Sequence, residues 1–170
     1  MTGHNSIKMA DLSLLYKRLG YTENKTYIQS GNVIFKSSGL LTEKETAQQI
    51  EDEILRKFSY TVPVMIRNIS EIQSLFKNNP YLSEPGFDAS KMAVVFLHEE
   101  VTDTQMEKMR NINYPPDKYQ ISGREIFIYC PNGFGRTKLY TNFFEDKMKV
   151  TGTARNWKTI TTLLGLAEEF

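Results

Sequence analysis

Residues 119–130 decide the fold, and they read Tyr119-Gln120-Ile121-Ser122-Gly123-Arg124-Glu125-Ile126-Phe127-Ile128-Tyr129-Cys130. A short run ending at Ile121 is followed by a turn at Ser122-Gly123, which predicts a β-hairpin. The returning run, 126–130, is apolar on both faces, as is typical of a central strand. The sequence therefore predicts a sheet built around this hairpin.

Patterns on either side of the hairpin extend it into a second half of the chain. Residues 92–97 are continuously apolar and predict a buried strand, and Thr102 with Gln105 forms a capping-box pattern for a helix. Apolar residues at helical spacing predict two more helices, marked by Leu139, Phe143, Phe144 and Met148 and by Trp157, Ile160, Leu163 and Leu164. This order is most of the split β-α-β-β-α-β unit of ferredoxin-like folds.

The first half repeats the alternation but lacks an opening strand. Residues 25–36 predict either a strand with a bulge or a tight hairpin at Ser30-Gly31-Asn32. Thr42 with Glu45 predicts a capped helix, and alternating apolar residues at 62–66 predict a strand. The missing strand would leave backbone groups unpaired, which favours dimerisation or strand exchange.

These patterns predict an α+β protein of two ferredoxin-like halves, the first without its opening strand. The halves are residues 1–77 and 91–170, the second ending in a helix. Residues 78–90 carry Pro80, Pro85 and Gly86 and are predicted to link them.

Composition excludes several classes of protein. The chain has 170 residues and a net charge of +1, so its overall field gives no general attraction for nucleic acid or anionic membranes. No apolar run approaches the roughly 20 residues of a transmembrane helix, and we expect no membrane partner. The single cysteine, Cys130, excludes an intramolecular disulfide and favours a reducing cytoplasm.

Residues 131–138 form the first candidate site. They place Gly133 and Gly135 before Arg136, Thr137 and Lys138, at the start of a predicted helix. Glycines let backbone N–H groups converge on an oxyanion, while the two cations bind its oxygens. The spacing is not that of a P-loop, so ATP hydrolysis does not follow. The alternative is a glycine turn followed by surface basic residues that complete a helix cap.

The second candidate site is the run that contains Thr153, Arg155, Asn156 and Trp157. Hydroxyl and amide side chains at a helix start, with an arginine beside them, could hold a phosphate or carboxylate. In the structural alternative, Thr153 or Asn156 caps the last helix, Arg155 holds a backbone carbonyl and Trp157 anchors the core.

A third polar segment, Ser30 and Asn32, could join the other two in one cleft. The hypothesis is a cleft that binds a phosphate-bearing small molecule or a nucleic-acid backbone. The alternatives are a protein-interaction or scaffold module with structural caps, and an enzyme, for which no acid–base pair stands out. His4 and His98 lie apart from other ligands, so we expect neither a metal site nor a cofactor. Cys130 is expected to be an inert core thiol.

Several segments of the chain together match one pattern of motifs: Gly3-His4-Asn5, Lys8 to Leu12, Thr26 to Phe35, Val62 to Val64, Gly133, Arg136 to Leu139 and Thr153 to Thr159. On these residues the chain resembles the bacterial family known as domain of unknown function 1697. The resemblance implies no established activity. Family members usually begin with an apolar strand and an R-G-I-N-V-G-G run that would end near Gly3, so we expect about ten further residues in the natural chain.

Overall fold

The computed structural model describes residues 6–27 and 31–170. Across these residues, helices alternate with strands that form two antiparallel sheets, which confirms the predicted α+β class. In chain order the elements are α1 (Met9–Arg18), β1 (Asn24–Tyr27), β2 (Asn32–Phe35), α2 (Glu43–Phe58), α3 (Ile69–Lys77), β3 (Met92–Leu97), α4 (Asp103–Met109), β4 (Lys118–Ser122), β5 (Glu125–Tyr129), α5 (Thr141–Met148), β6 (Gly152–Asn156) and α6 (Trp157–Glu168).

The chain divides into two compact units. The first consists of Met1–Ile69 with Leu163–Phe170, and the second of Ser70–Thr162. These limits differ from the predicted halves, because residues 78–90 belong wholly to the second unit and α6 contributes to both units.

Aromatic contacts explain why residues 78–90 belong to the second unit. The rings of Tyr81 and Phe87 each stack on Tyr129 of β5, with centroids 5.6 Å apart in both pairs. The Tyr129 hydroxyl also accepts a hydrogen bond from Asp88 N at 2.9 Å. The proline-containing segment is therefore a packed cover for this sheet.

The sheet of the second unit has four antiparallel strands in the order β4-β5-β3-β6. The predicted hairpin is present, since Ser122 pairs with Glu125 across the turn. β6 was not predicted, because its residues read as a polar helix start. It completes the element order β-α-β-β-α-β.

Both faces of this sheet are covered. α4 and α5 pack on one face, with Phe144 fully buried and its ring 5.5 Å from that of Tyr119. The opposite face carries Val94, Phe127 and Tyr129, all buried, and Tyr81 and Phe87 stack on the Tyr129 ring. The core on the α4–α5 face comprises Val95, Leu97, Met109, Ile126, Ile128, Cys130, Leu139, Phe144 and Met148.

The first unit is built around a hairpin. β1 and β2 pair antiparallel from Tyr27↔Asn32 to Asn24↔Phe35, which agrees with the hairpin alternative; Ser30 lies outside the described residues. α2 begins with the predicted capping box of Thr42 and Glu45. The core of the first unit comprises Ile7, Leu12, Leu15, Tyr16, Tyr21, Ile50 and Ile54.

The strand predicted at residues 62–66 is wrong, because this segment has no regular secondary structure. Val62, Val64 and Ile66 still pack against the core of the first unit, which accounts for their apolar alternation. Val64 N donates to Glu51 Oε1 at 2.8 Å. An alternating pattern thus records burial of one face, whereas a strand also needs a neighbouring backbone.

Candidate functional site

The candidate site lies at one edge of the four-stranded sheet. Ala93, near the start of β3, pairs with Ile128 on one side and with Asn156 on the other. β5 and β6 therefore both end at this edge, with backbones about 10 Å apart, twice the spacing of neighbouring strands. The loop of residues 131–138 begins at this edge, whereas the segment that starts at Thr153 reaches it only at Asn156.

The backbone of the loop after β5 is fixed at its first turn. Cys130 N donates to Lys91 O at 2.9 Å, and Gly133 N donates to Cys130 O at 2.8 Å. Gly133 has φ of +87°, a left-handed conformation that favours glycine. The loop thus turns sharply at the end of the strand.

Thr137 holds the middle of this loop. Its hydroxyl donates to Asp117 Oδ2 at 2.8 Å and accepts from Leu139 N at 3.1 Å. Cys130 Sγ also donates to it at 3.3 Å, and burial raises the pKa of this thiol. These three bonds position the loop. The helix start predicted at residues 136–138 is wrong, because α5 begins at Thr141 with Tyr140 as its N-cap.

Three cationic side chains lie at this edge of the sheet. A Cβ placed on Gly133 would be 3.8 Å from Lys91 Nζ, so this ammonium lies directly against the loop. Arg136 is exposed on the same loop. Lys138 is also exposed, with its Nζ 6.0 Å from the centroid of the Tyr114 ring.

Lys91 is a site residue that the sequence analysis missed. It precedes β3 in a short 3-10 turn, Ala89–Lys91. The available signal was topological: β3 starts where its antiparallel neighbour β5 ends, so the residue before β3 must lie beside the loop after β5.

Acidic side chains near these cations are engaged by other groups. Asp88 Oδ1 accepts from the hydroxyl and backbone N–H of Ser90, and these bonds lower the pKa of its carboxyl. Glu84 forms an ion pair with Lys118 at 2.7 Å. Asp117 accepts the Thr137 hydroxyl hydrogen bond. The charge of Lys91 also lowers the pKa of the Asp88 carboxyl, so Asp88 offsets part of the positive charge at this edge.

Arg155 lies on a different part of the sheet. It pairs with Val94 in the interior of the ladder, on the face opposite the α4–α5 core. Its Nη1 donates to Thr153 Oγ1 and to Ala154 O, both at 2.8 Å. Burial lowers the pKa of its guanidinium. The bond to Ala154 O agrees with the structural alternative for Arg155, whereas Thr153 lies within β6 and does not cap α6.

Asn156 and Trp157 have structural contacts at the start of α6. Asn156 Oδ1 accepts from Thr159 N at 2.8 Å, which is the geometry of a helix N-cap. Trp157 is buried, and its ring centroid lies 4.5 Å from that of Phe76. Both side chains are thus used internally at the start of α6.

The remaining predicted cleft residues belong to the first unit. Asn32 is buried, and its Nδ2 donates to Tyr27 O at 3.2 Å across the hairpin. Ser30 is outside the described residues.

Within residues 6–27 and 31–170, no helix has both the length and the apolar character needed to cross a membrane. The same residues contain no group of three or more His, Cys, Asp or Glu side chains arranged to hold a metal ion.

Comparison with known proteins places the chain in a family. The profile of the family described as Protein of unknown function (DUF1697) matches residues 1–127. The chain belongs to this family. No curated protein matches it in sequence.

A solved structure has the same fold as this family member. It is that of a conserved bacterial protein from Streptococcus pneumoniae, with a TM-score of 0.76 and 18% sequence identity. The match covers 98% of this chain and 92% of the other. At this identity the likeness concerns the fold.

Proposed function

We propose that this DUF1697 protein binds a phosphate-bearing ligand at the edge of its four-stranded sheet. Lys91, Arg136 and Lys138 would supply the cationic contacts, with N–H groups of the glycine loop as further donors. A nucleic-acid backbone would be held through the same phosphate chemistry.

One observation carries this proposal: the Lys91 ammonium lies against a left-handed glycine on the loop that also presents Arg136. Like charges repel, so collecting cations on a fixed loop costs free energy unless an anion offsets it. Asp88 offsets part of the Lys91 charge, while Asp117 and Glu84 bond to Thr137 and Lys118. A phosphate is the simplest group to balance this charge.

A melting-shift screen tests the proposal. The probes are inorganic phosphate, pyrophosphate, mononucleotides and sugar phosphates, because a ligand that binds only the folded state raises its melting temperature. Arg136→Ala and Lys91→Ala should weaken binding of the best probe roughly 10- to 100-fold, the value of a charged hydrogen bond.

Lys147→Ala is the matched control. Lys147 is exposed in the last turn of α5, the end of that helix nearer the start of β6 and away from the loop. Its removal changes the charge equally and should leave binding unchanged. Equal losses in Lys147→Ala and Arg136→Ala would reduce the effect to net charge and contradict the site.

A protein-interaction module is the second candidate. Thr137, Asn156 and Arg155 each make internal hydrogen bonds, as expected of structural motifs. Arg155→Ala separates the candidates, because a lower melting temperature with unchanged phosphate binding supports a structural role for this residue. Loss of binding with an unchanged melting temperature supports a direct contact.

We also infer that both units are ferredoxin-like, the first lacking its opening strand and having the irregular segment 62–66 in place of its closing strand. The order β-α-β-β-α-β and the antiparallel sheet support this for the second unit. In the described part of the first unit, β2 pairs only with β1, which supports addition of a strand from a second copy. Light scattering across a concentration series tests this homodimer.

A cytoplasmic location is supported by the buried, unbridged Cys130.

A further inference from the structure

Residues 134–140 carry two exposed aromatic side chains with two exposed cationic side chains between them. Phe134 and Tyr140 are 38% and 55% exposed, and Arg136 and Lys138 lie exposed between them. Leu139 is buried in the core of the second unit. The segment thus presents the order aromatic, cation, cation, aromatic to solvent.

Internal bonds hold this segment in one conformation. Thr137 N donates to Phe134 O at 3.4 Å in a turn, and the Thr137 hydroxyl is tied to Asp117 and to Leu139 N. Burial of Leu139 fixes the end nearer α5. Because the backbone is held, a ligand would not need to order it, which reduces the entropy lost on binding.

The side-chain order points to more than a single phosphate. A sugar phosphate has no aromatic surface, and one mononucleotide has one base for two exposed rings. Duplex bases are already stacked on one another, whereas the bases of a single strand are free to stack on protein aromatics. Two rings that flank two cations fit consecutive nucleotides of a single strand.

We propose that residues 134–140 bind single-stranded nucleic acid. Bases stack on Phe134 and Tyr140, while Arg136 and Lys138 contact the intervening phosphates. The contacts are to base faces and phosphates, so binding tolerates many sequences. This inference rests on the proposed phosphate-binding function and names the ligand class for the same edge of the sheet.

Fluorescence anisotropy of labelled dT12 and U12 oligonucleotides with the full chain tests the inference. Two phosphate contacts predict that the logarithm of the association constant falls against the logarithm of salt concentration with a slope of about −1.4. Binding should be tighter to the single strand than to a blunt duplex of equal length. Equal affinity for the two would overturn the stacking arrangement.

Substitutions separate stacking from charge. Phe134→Ala and Tyr140→Ala should each weaken binding about 5- to 150-fold without changing the salt slope. Arg136→Gln should reduce the magnitude of the slope by about 0.7. Leu82→Ala is the matched control for an exposed apolar side chain, since Leu82 is 60% exposed in the same unit. Equal loss in Leu82→Ala would overturn the inference.

The two proposals fail in different ways. If pyrophosphate binds in an Arg136-dependent manner but the oligonucleotides bind no tighter than a mononucleotide, this inference is wrong and phosphate binding stands. If neither probe binds at low salt, both proposals are wrong. Melting curves should show that Phe134→Ala and Tyr140→Ala remain folded, because both side chains are exposed.

Discussion

The two units of this protein differ in how completely their sheets are formed. The second unit has four paired strands with both faces covered, whereas the described residues of the first form β1 and β2, of four residues each. An isolated hairpin is marginally stable, while three or more strands with an apolar face sustain themselves. Similar helix and strand patterns therefore yield a self-sustaining sheet only where three or more strands pair.

The first unit compensates with side-chain packing. Tyr16 and Tyr21 contact Phe35, with ring centroids 5.2 and 4.8 Å apart, and the irregular segment 62–66 packs on the same core. Its stability therefore depends more on aromatic contacts than on a ladder of strands. The candidate site stands on the second unit, where the sheet supplies a rigid base.

The largest expected effect sharpens this contrast at the core of the second unit. Phe144→Ala should destabilise the protein by about 3–5 kcal/mol, because Phe144 is fully buried and its removal leaves a cavity. Denaturant unfolding measures the change. Tyr140→Ala, at an exposed position, should stay within about 0.5 kcal/mol. A loss below about 1 kcal/mol in Phe144→Ala would show that this core is loosely packed.

Glycine substitutions test how tightly β6 approaches β3. A Cβ on Gly152 would lie 2.8 Å from Val95 Cγ1 and 3.0 Å from Leu97 Cδ2, so Gly152→Ala should cost about 1–3 kcal/mol through overpacking. Gly165→Ala is the control, in α6 with no atom within 4 Å of its Cβ. It should stabilise by about 0.5–1 kcal/mol through helix propensity. Thermal melting of both variants gives opposite signs if the geometry is right.

Two capping boxes allow the same change in each unit. Thr42 begins α2 in the first unit, and Thr102 begins α4 in the second, each bonded to the N3 backbone. Thr42→Ala and Thr102→Ala should each cost about 1 kcal/mol. Amide hydrogen exchange should show the losses confined to the unit that carries the substitution. Equal loosening of both units by either variant would break the comparison.

The smallest effect concerns alkaline pH. Burial raises the pKa of the Cys130 thiol in the folded state, so the unfolded chain ionises first. The contribution of the protonated thiol to the free energy of unfolding is fully present below the unfolded pKa of about 8.5. It is lost as pH rises through the folded pKa. Between about pH 8 and 10, wild type should lose stability more steeply than Cys130→Ala, by at most about 1.4 kcal/mol per pH unit. Parallel curves would contradict a desolvated thiol.

Local sequence patterns predicted many elements of this fold. The capping boxes at Thr42 and Thr102, the apolar run that becomes β3 and the turn at Ser122-Gly123 each depend on neighbouring residues. These signals act within a few residues of each other, so the sequence shows them directly.

Pairing between distant strands accounts for what the sequence analysis missed. Residues 62–66 were predicted to form a strand and do not, whereas β6 was not predicted and does form. Strand formation depends on a partner backbone that no local pattern specifies. Lys91 joined the candidate site through the register of β3 with β5. Asn156 caps α6 as the structural alternative predicted, whereas Thr137 precedes α5 by four residues and bonds to Asp117, a contact between distant residues that no local pattern specifies.

The division of α6 between the units has a consequence for synthesis on the ribosome. The second unit, Ser70–Thr162, is continuous in sequence, whereas the first requires Leu163–Phe170, where the Phe170 ring lies 5.3 Å from Lys36 Nζ. Translation therefore delivers every residue of the later unit before the earlier one is finished. The first unit can therefore be completed only after the last turns of α6 have been made.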